Sequence, residues 1–275
     1  MNFFKYEATG NDFIVLNRPF DEKTNSKAWI EALCASHTSI GADGLFFLWK
    51  EGNDWHWKFF NNDGTPAKFC GNAARCALLW LHVQVDNQVK EWSWNDGAQR
   101  FTGKIQGSKG KESVEVLWPK SKLCTLEFKS HHQTLVKQLF EIGLESAKWV
   151  DAGVPHLVLI GTSWPRKIRQ IFYTDHLMHH PEFIKESNIT WLSRTDMTVV
   201  SFERGVEEET LSCGSGALAA YYALKLRSQE DKNLKVPSEI SFQFPGGPLC
   251  VKESETALHL SGPVRKVFEG YYEET

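Results

Sequence analysis

Two short stretches of this chain resemble each other, and each places a cysteine directly before small residues. They are residues 70–74 (CGNAA) and 213–217 (CGSGA), and both continue into an apolar run of helical character. This pattern predicts that Cys70 and Cys213 each lie at the N-terminus of a helix. The unpaired N–H groups and the helix dipole at such a position favour negative charge, so they lower the pKa of a thiol and can bind a carboxylate.

The charge and hydropathy of the chain bear on its partners. Among 275 residues, 31 basic and 34 acidic side chains give a net charge of −3, which provides no electrostatic footprint for nucleic acid. The N-terminus lacks the apolar core of a signal peptide, and no uncharged apolar run reaches the roughly 18 residues of a membrane span. We therefore expect a cytoplasmic protein with a small-molecule partner, and neither nucleic acid nor membrane as a partner.

The six cysteines of the chain are expected to be reduced thiols, since disulfides are rare in cytoplasmic proteins of this size. They form no Cys-X-X-Cys pair, and no His and Cys cluster has zinc-finger spacing, so no metal site is expected. The sequence also shows no Walker or dinucleotide-binding loop and nothing that marks a pyridoxal-phosphate lysine. We expect a protein without a cofactor.

Strand and turn patterns occupy most of the chain, with one long helical pattern in each half. A plausible domain boundary lies at Trp118-Pro119, and residues 188–192 and 197–202 have the pattern of a hairpin. Asn11 is expected to lie in a turn at residues 9–12. We infer two α+β domains that are built alike.

The two cysteines allow three interpretations. A free cysteine is often a small buried apolar residue with no chemical role. A thiol-disulfide oxidoreductase would use neighbouring thiols, which this chain lacks. In the third interpretation, one thiolate removes a proton from a carbon and the other thiol donates a proton to the opposite face, as inversion of a stereocentre requires. The shared local pattern favours this third interpretation as a working hypothesis.

Further motifs follow one another along the chain. Together with the two Cys-Gly stretches, they resemble the diaminopimelate epimerase family from residue 3 to about residue 270, and the resemblance is weak only at 120–148 and 161–187. The motifs are residues 10–13 (GNDF), 41–44 (GADG), 61–64 (NNDG), 155–156 (PH), 203–205 (ERG), 209–217 (ETLSCGSGA) and 245–247 (PGG).

The resemblance implies a fold of two similar α+β domains. Each would be a mostly antiparallel β-sheet wrapped around a central helix, with the active site in the cleft between the domains. The N-terminal domain would comprise residues 1–117 plus 263–275 and carry Cys70, and the C-terminal domain would comprise 118–262 and carry Cys213. The family also suggests a homodimer.

The resemblance further implies a cofactor-independent epimerase that converts LL-diaminopimelate to the meso form, in the pathway of lysine and peptidoglycan precursors. Cys70 and Cys213 would be its acid/base pair, and His156 and Glu203 would orient the substrate ammonium and the thiols. Arg204 suits a bidentate clamp on the distal carboxylate. The positions implied in substrate binding are Asn11, Asn61, Gly71, Asn72, Asn188, Glu203, Arg204, Gly214 and Ser215, of which the N–H groups of Gly71, Asn72, Gly214 and Ser215 would bind the carboxylate at the reacting centre.

Three departures from the family pattern concern the substrate more than the chemistry. Val154 stands before Pro155-His156 where the family typically has Asn, the loop at 205–210 is one residue longer and more acidic, and residues 8–9 are Ala-Thr instead of Gly-Leu. A racemase for another amino acid on the same fold is therefore the alternative function. A binding protein that retains the fold is disfavoured by the presence of both cysteines, and Asn188 and Arg204 favour diaminopimelate.

Overall fold

The computed structural model describes residues 1–67, 70–106, 113–128, 133, 136–137, 140, 143–173, 186–204 and 206–273. The chain divides into two compact units, which we call the first and the second unit. The first unit contains Met1–Leu117 and Ser261–Thr275, and the second contains Trp118–Leu260. The domain ranges given above stay a prediction, and their second boundary lies two residues further along the chain.

Strands form most of the described secondary structure. The helices are α1 (Lys27–Cys34), α2 (Gly71–Gln84), α3 (Arg166–Phe172) and α4 (Gly214–Glu230), with one 3₁₀ turn at Lys120–Lys122. The strands are β1 (Asn2–Ala8), β2 (Asn11–Leu16), β3 (Gly44–Glu51), β4 (Asp54–Asn61), β5 (Glu91–Asn95), β6 (Arg100–Gln106), β7 (Ser113–Pro119), β8 (Cys124–Thr125), β9 (Leu144–Asp151), β10 (Pro155–Gly161), β11 (Asn188–Ser193), β12 (Thr198–Glu203), β13 (Glu208–Thr210), β14 (Glu239–Phe244), β15 (Gly247–Glu253), β16 (Ala257–Gly262) and β17 (Arg265–Tyr271).

The core of the first unit surrounds helix α2. Every residue of this helix from Gly71 to His82 is buried, so the helix has no solvent-exposed face in its first three turns. Around it, β1 pairs antiparallel with both β2 and β17, and β3 pairs antiparallel with β4. The pairs β2–β3 and β4–β5 are parallel. Large aromatic side chains fill the space between sheet and helix, among them Trp57 and Trp94 with ring centroids 6.1 Å apart.

Strand β10 organises the part of the second unit that matters for function. It pairs antiparallel with β9 and parallel with β11, and β11 pairs antiparallel with β12. The hairpin predicted at 188–192 and 197–202 is therefore confirmed. Helix α4 is buried over most of its first three turns and, like α2, is the long helix of its unit.

The predicted α+β fold class, with mostly antiparallel sheet and a long helix in each half, is confirmed. The parallel pairs are the exception to the antiparallel pattern, and they arise where a helix or a long connection separates two neighbouring strands. None of the helices that the structure describes has the length and apolar character needed to cross a membrane.

Candidate active site

Cys70 caps the N-terminus of helix α2. Its backbone is extended, with φ −138° and ψ 116°, and its Sγ accepts a hydrogen bond from the N–H of Ala73 at 3.5 Å. Its carbonyl accepts the first intrahelical bond, from the N–H of Ala74 at 2.9 Å. The position predicted for this thiol is therefore confirmed. The thiol is partly exposed and receives the N–H of the helix end, where negative charge is stabilised.

A chain of side-chain amides leads from helix α2 to the start of β2. Asn72 is buried and donates from Nδ2 to Oδ1 of Asn11 at 2.7 Å, and Asn11 donates from Nδ2 to Oδ2 of Asp43 at 3.2 Å. Both ends of the Asn11 amide are thus oriented by neighbours. Asn11 is the first residue of β2, so the prediction that it lies in a turn is wrong, because Asn11 pairs with Ala8 and the turn is confined to Thr9-Gly10.

Asp43 and Asn61 complete the polar groups on this side of the first unit. Burial raises the pKa of the Asp43 carboxyl, and this carboxylate also accepts the N–H of Asp12 at 3.1 Å. Asn61 ends β4 with an exposed side chain, and its Nδ2 donates to Oγ1 of Thr65 at 3.1 Å. The structure places Asn11, Asn61 and Asn72 in the same unit as Cys70.

Arg75 links the first turn of α2 to the β1–β2 turn. Its side chain is fully buried, and Nη2 donates to Oγ1 of Thr9 at 2.8 Å and to Oδ1 of Asn72 at 2.9 Å. Nη1 donates to the carbonyl of Gly71 at 3.3 Å. These bonds hold the residues that immediately follow Cys70.

Cys213 occupies the same position at helix α4 as Cys70 does at α2. It is the N-cap residue, with φ −135° and ψ 111°, and its Sγ accepts a hydrogen bond from the N–H of Gly216 at 3.4 Å. The first intrahelical bond runs from the N–H of Ala217 to the Cys213 carbonyl at 3.0 Å. The predicted helix position of this second thiol is also confirmed. Cys213 is buried, and its Sγ lies 3.4 Å from Oγ of Ser215.

Ser215 connects Cys213 to a buried histidine. His156 is fully buried, with Nε2 2.9 Å from Oγ of Ser215 and Nδ1 2.8 Å from Oγ1 of Thr190. Thr190 in turn lies 3.3 Å from Ser201 through their hydroxyl oxygens. The parallel register of β10 and β11 aligns His156 with Asn188, two residues before Thr190, which explains why residues far apart in sequence meet here.

The neighbours of His156 assign its tautomer. The backbone N–H of Arg204 donates to Oδ1 of Asn188 at 3.0 Å, which leaves Nδ2 of Asn188 facing Nε2 of His156 at 3.5 Å. Nε2 is therefore the acceptor and Nδ1 carries the proton that is donated to Thr190. The Ser215 hydroxyl then donates to Nε2, so its oxygen is directed to accept from the thiol of Cys213. Burial, and secondarily the charge of Arg204, lower the pKa of His156 to about 3, so the ring is neutral at neutral pH.

The remaining predicted residues follow strand β12. Glu203 is its last residue, and its Oε1 accepts a hydrogen bond from the Thr210 hydroxyl at 2.6 Å. The side chain of Arg204 is exposed. The structure thus brings His156, Asn188 and Ser215 together beside Cys213, and places Glu203 and Arg204 on the same unit.

Comparisons with known proteins agree in one family. The family model described as diaminopimelate epimerase matches residues 3–111. The diaminopimelate epimerase of Campylobacter jejuni is 31% identical to this chain in an alignment of 284 positions that covers 99% of both proteins. That of Aquifex aeolicus is 31% identical, and the match covers 100% of this chain and 98% of that protein. The chain belongs to the diaminopimelate epimerase family. The predicted family is therefore confirmed, and so is the predicted enzyme class, since these enzymes are isomerases.

A solved structure shows the same fold at much lower sequence identity. A protein described as a predicted epimerase from Pseudomonas aeruginosa superposes with a TM-score of 0.72, covering 100% of this chain and 99% of its own, at 12% identity. The α+β architecture of this diaminopimelate epimerase family member is therefore also found in a protein that shares little sequence identity with it.

Several polar residues of the site were not anticipated from the sequence. They are buried: Arg75 bonds Asn72, Thr190 bonds His156, and Ser201 bonds Thr190. An arginine inside an apolar helical run was the available signal for Arg75, since a fully buried charge needs a specific reason. Thr190 follows Asn188 at the period of 2 that places strand residues on one face. Among the described residues, no group of three or more His, Cys, Asp and Glu could hold a metal ion.

Proposed function

We propose that this enzyme converts LL-2,6-diaminopimelate to meso-diaminopimelate without a cofactor, with Cys70 and Cys213 as its acid/base pair, and that it supplies lysine and peptidoglycan precursors in the cytoplasm. The observation that carries the proposal is that each thiol caps a long buried helix and accepts an N–H from its first turn. The names of the similar proteins support the choice of substrate.

The reaction requires one thiolate and one thiol on opposite faces of the α-carbon. The thiolate takes the α-proton and becomes a thiol, while the electron pair of the broken C–H bond is held by the α-carbon and its carboxylate. The opposite thiol then donates its proton to the other face and becomes a thiolate. The product has the inverted configuration, and exchange of protons with solvent restores the starting state of the enzyme.

The helix ends assist this chemistry in two ways. An unperturbed thiol of pKa about 8.5 is only about 3% thiolate at pH 7, and a helix N-terminus contributes about 0.3–1 kcal/mol toward the charged form. The helix N-terminus therefore increases the thiolate fraction but is too weak to make the thiolate the main form by itself. In our proposal the N–H groups of Gly71, Asn72, Gly214 and Ser215 bind the reacting carboxylate, where they would also stabilise the charge that develops in the transition state.

His156 acts in this proposal through Ser215. Both ring nitrogens bond neighbours within the second unit, so the ring is suited to orienting the Ser215 hydroxyl, which faces Cys213. Glu203 would orient the substrate ammonium. Asn11, Asn61, Asn188 and Arg204 would hold the substrate, with the guanidinium of Arg204 on the distal carboxylate.

A second candidate function rests on Val154. This residue precedes β10, and its carbonyl accepts the N–H of Ala152 at 3.1 Å in a tight turn. Val154 offers no side-chain hydrogen bond where the family typically has an Asn amide, so a distal group of diaminopimelate would lose a hydrogen-bond partner. A substrate amino acid that lacks this distal group would lose no hydrogen bond. Racemisation of another amino acid is the candidate that this observation favours.

Proton NMR in D₂O under reducing conditions tests the two candidates together. LL-diaminopimelate and a panel of single amino acids are each offered to the enzyme, and stereoisomers are resolved afterwards. We expect deuterium at the α-position of diaminopimelate alone, with the meso form appearing. Exchange with only another amino acid would support the second candidate, in which the two thiols racemise that amino acid. Exchange with no compound would contradict both candidates.

A further inference from the structure

Arg75 carries a buried positive charge that no carboxylate of the described residues neutralises by direct contact. Its side chain is completely buried, and the three hydrogen bonds it makes go to neutral oxygens of Gly71, Thr9 and Asn72. Its Nε has no hydrogen-bond partner in the described part of the chain. A cation in such a place costs free energy unless a negative charge lies near it.

Burial lowers the pKa of Arg75 to about 10, so the guanidinium remains charged at neutral pH. Three acidic groups among the described residues act on it electrostatically, namely Cys76, Cys70 and Glu7. Burial raises the pKa of Cys76 well above its usual value, so this thiol is neutral. Glu7 accepts the N–H of Gly10 at 2.6 Å and already has a cationic partner in Arg265 at 3.0 Å.

We propose that Arg75 is a positioning residue whose buried charge keeps Cys70 in the thiolate form. Its hydrogen bonds also hold the first turn of helix α2, which follows Cys70. The bond to the Gly71 carbonyl fixes the peptide next to Cys70, and the bonds to Thr9 and Asn72 fix the direction of the guanidinium. The thiolate and the guanidinium then balance each other in an environment that screens charge poorly. This inference rests on the proposed function and deepens it, because that reaction needs one thiolate and the inference assigns it to Cys70 in the free enzyme.

The test measures the pKa of Cys70 directly, in the full-length enzyme without substrate. Isotope-coded iodoacetamide alkylates thiolates, and peptide mass spectrometry resolves the rate at each cysteine as a function of pH. We expect the pKa of Cys70 to lie below the ordinary value of about 8.5. In Arg75→Met it should rise by about one unit or more, which lowers the alkylation rate about tenfold at pH values well below the wild-type pKa. Arg75→Lys retains the charge and should retain most of the lowered pKa.

Two internal comparisons make the test specific. Exposed Cys124, which the proposed mechanism does not use, is the internal reference, and its alkylation profile should change less than twofold in Arg75→Met. Thr9→Val removes one acceptor of Arg75 and keeps the charge, so it should raise the pKa of Cys70 by less than Arg75→Met does. Equal changes at both cysteines would mean general loosening of the fold and would overturn the proposal.

The wild-type measurement keeps the proposal falsifiable even if Arg75→Met does not fold. A pKa of Cys70 at or above about 8.5 in the wild-type enzyme would overturn it. An unchanged pKa in folded Arg75→Met would do the same. A low, Arg75-dependent pKa in an enzyme that shows no α-proton exchange would contradict the proposed function and would still support this role of Arg75.

Discussion

At the level of single residues, the second thiol depends on a histidine that stays neutral. His156 accepts from Ser215 through Nε2 only while that nitrogen carries no proton. Its pKa of about 3 in the folded protein lies well below the ordinary value of about 6.5. Between these two values the unfolded chain binds a proton that the folded protein does not. His156 therefore contributes stability that is fully present above about pH 6.5 and is lost as the pH falls toward 3.

The change His156→Gln should flatten this pH dependence, since glutamine does not titrate. We expect the wild-type enzyme to lose about 2 kcal/mol more unfolding free energy than the variant when the pH is lowered from about 7 to about 5. Urea unfolding at the two pH values measures the difference. His37→Gln, at an exposed histidine, is the matched control and should behave as wild type. Equal losses in wild type and His156→Gln would contradict a neutral buried ring.

Cys70 and Cys213 could be predicted at helix ends because the signal is local. A cysteine, small residues and an apolar run occur within a few positions, and capping depends on those positions alone. Arg75 and Thr190 could not be assigned in the same way. Their partners lie on other strands or turns, at distances along the chain that only strand register brings together.

At the level of elements, the close approach of helix α4 to strands β11 and β12 assembles the second thiol site. Gly216 lies at the contact, and a Cβ built there would come within 2.6 Å of Oγ of Ser201 and 3.3 Å of Oγ1 of Thr190. The 2.6 Å contact requires either the Ser201 hydroxyl, which lies 3.3 Å from that of Thr190, or the helix end to shift. A glycine at this position therefore brings the helix end close enough for Ser215 to bond His156.

We expect Gly216→Ala to destabilise the enzyme by about 1–3 kcal/mol through this overpacking. Helix propensity alone would predict the opposite sign, because alanine normally stabilises a helix by about 1 kcal/mol relative to glycine. Urea unfolding gives the free energy, with Ser228→Ala later in the same helix as the control for propensity. A stabilised Gly216→Ala variant would mean that the helix does not approach the strands this closely.

The hairpin of β11 and β12 and the long helix in each half were predictable from their patterns. The burial of α2 from Gly71 to His82 could not be predicted, because a helix that is covered on all sides lacks the amphipathic pattern that distinguishes a buried face from an exposed one. The parallel pairing of β10 with β11 is equally invisible in the sequence, since residues 162–187 separate the two strands. That pairing is what aligns His156 with Asn188.

At the level of the whole molecule, the proposed mechanism requires both thiols to act on one carbon. Under a mild oxidant such as diamide, each thiol would give up a proton and an electron and the two sulfurs would form a disulfide. We expect reversible loss of activity, with a Cys70–Cys213 crosslink in peptide mass spectrometry that a reductant removes. Exposed Cys124 serves as the control for unspecific oxidation. An oxidised, inactive sample in which Cys70 and Cys213 remain free thiols would argue against the mechanism.

The most direct test of the two-thiol mechanism replaces each cysteine by serine. Serine is a good helix N-cap, so Cys70→Ser and Cys213→Ser should retain the fold while losing a group that can exist as an anion near neutral pH. Epimerisation of LL-diaminopimelate in D₂O is followed by NMR with resolution of stereoisomers, beside Cys124→Ser as the control. We predict that both variants lose inversion by at least about a hundredfold while the control keeps wild-type turnover. Near-full turnover in a folded Cys70→Ser or Cys213→Ser enzyme would contradict the account.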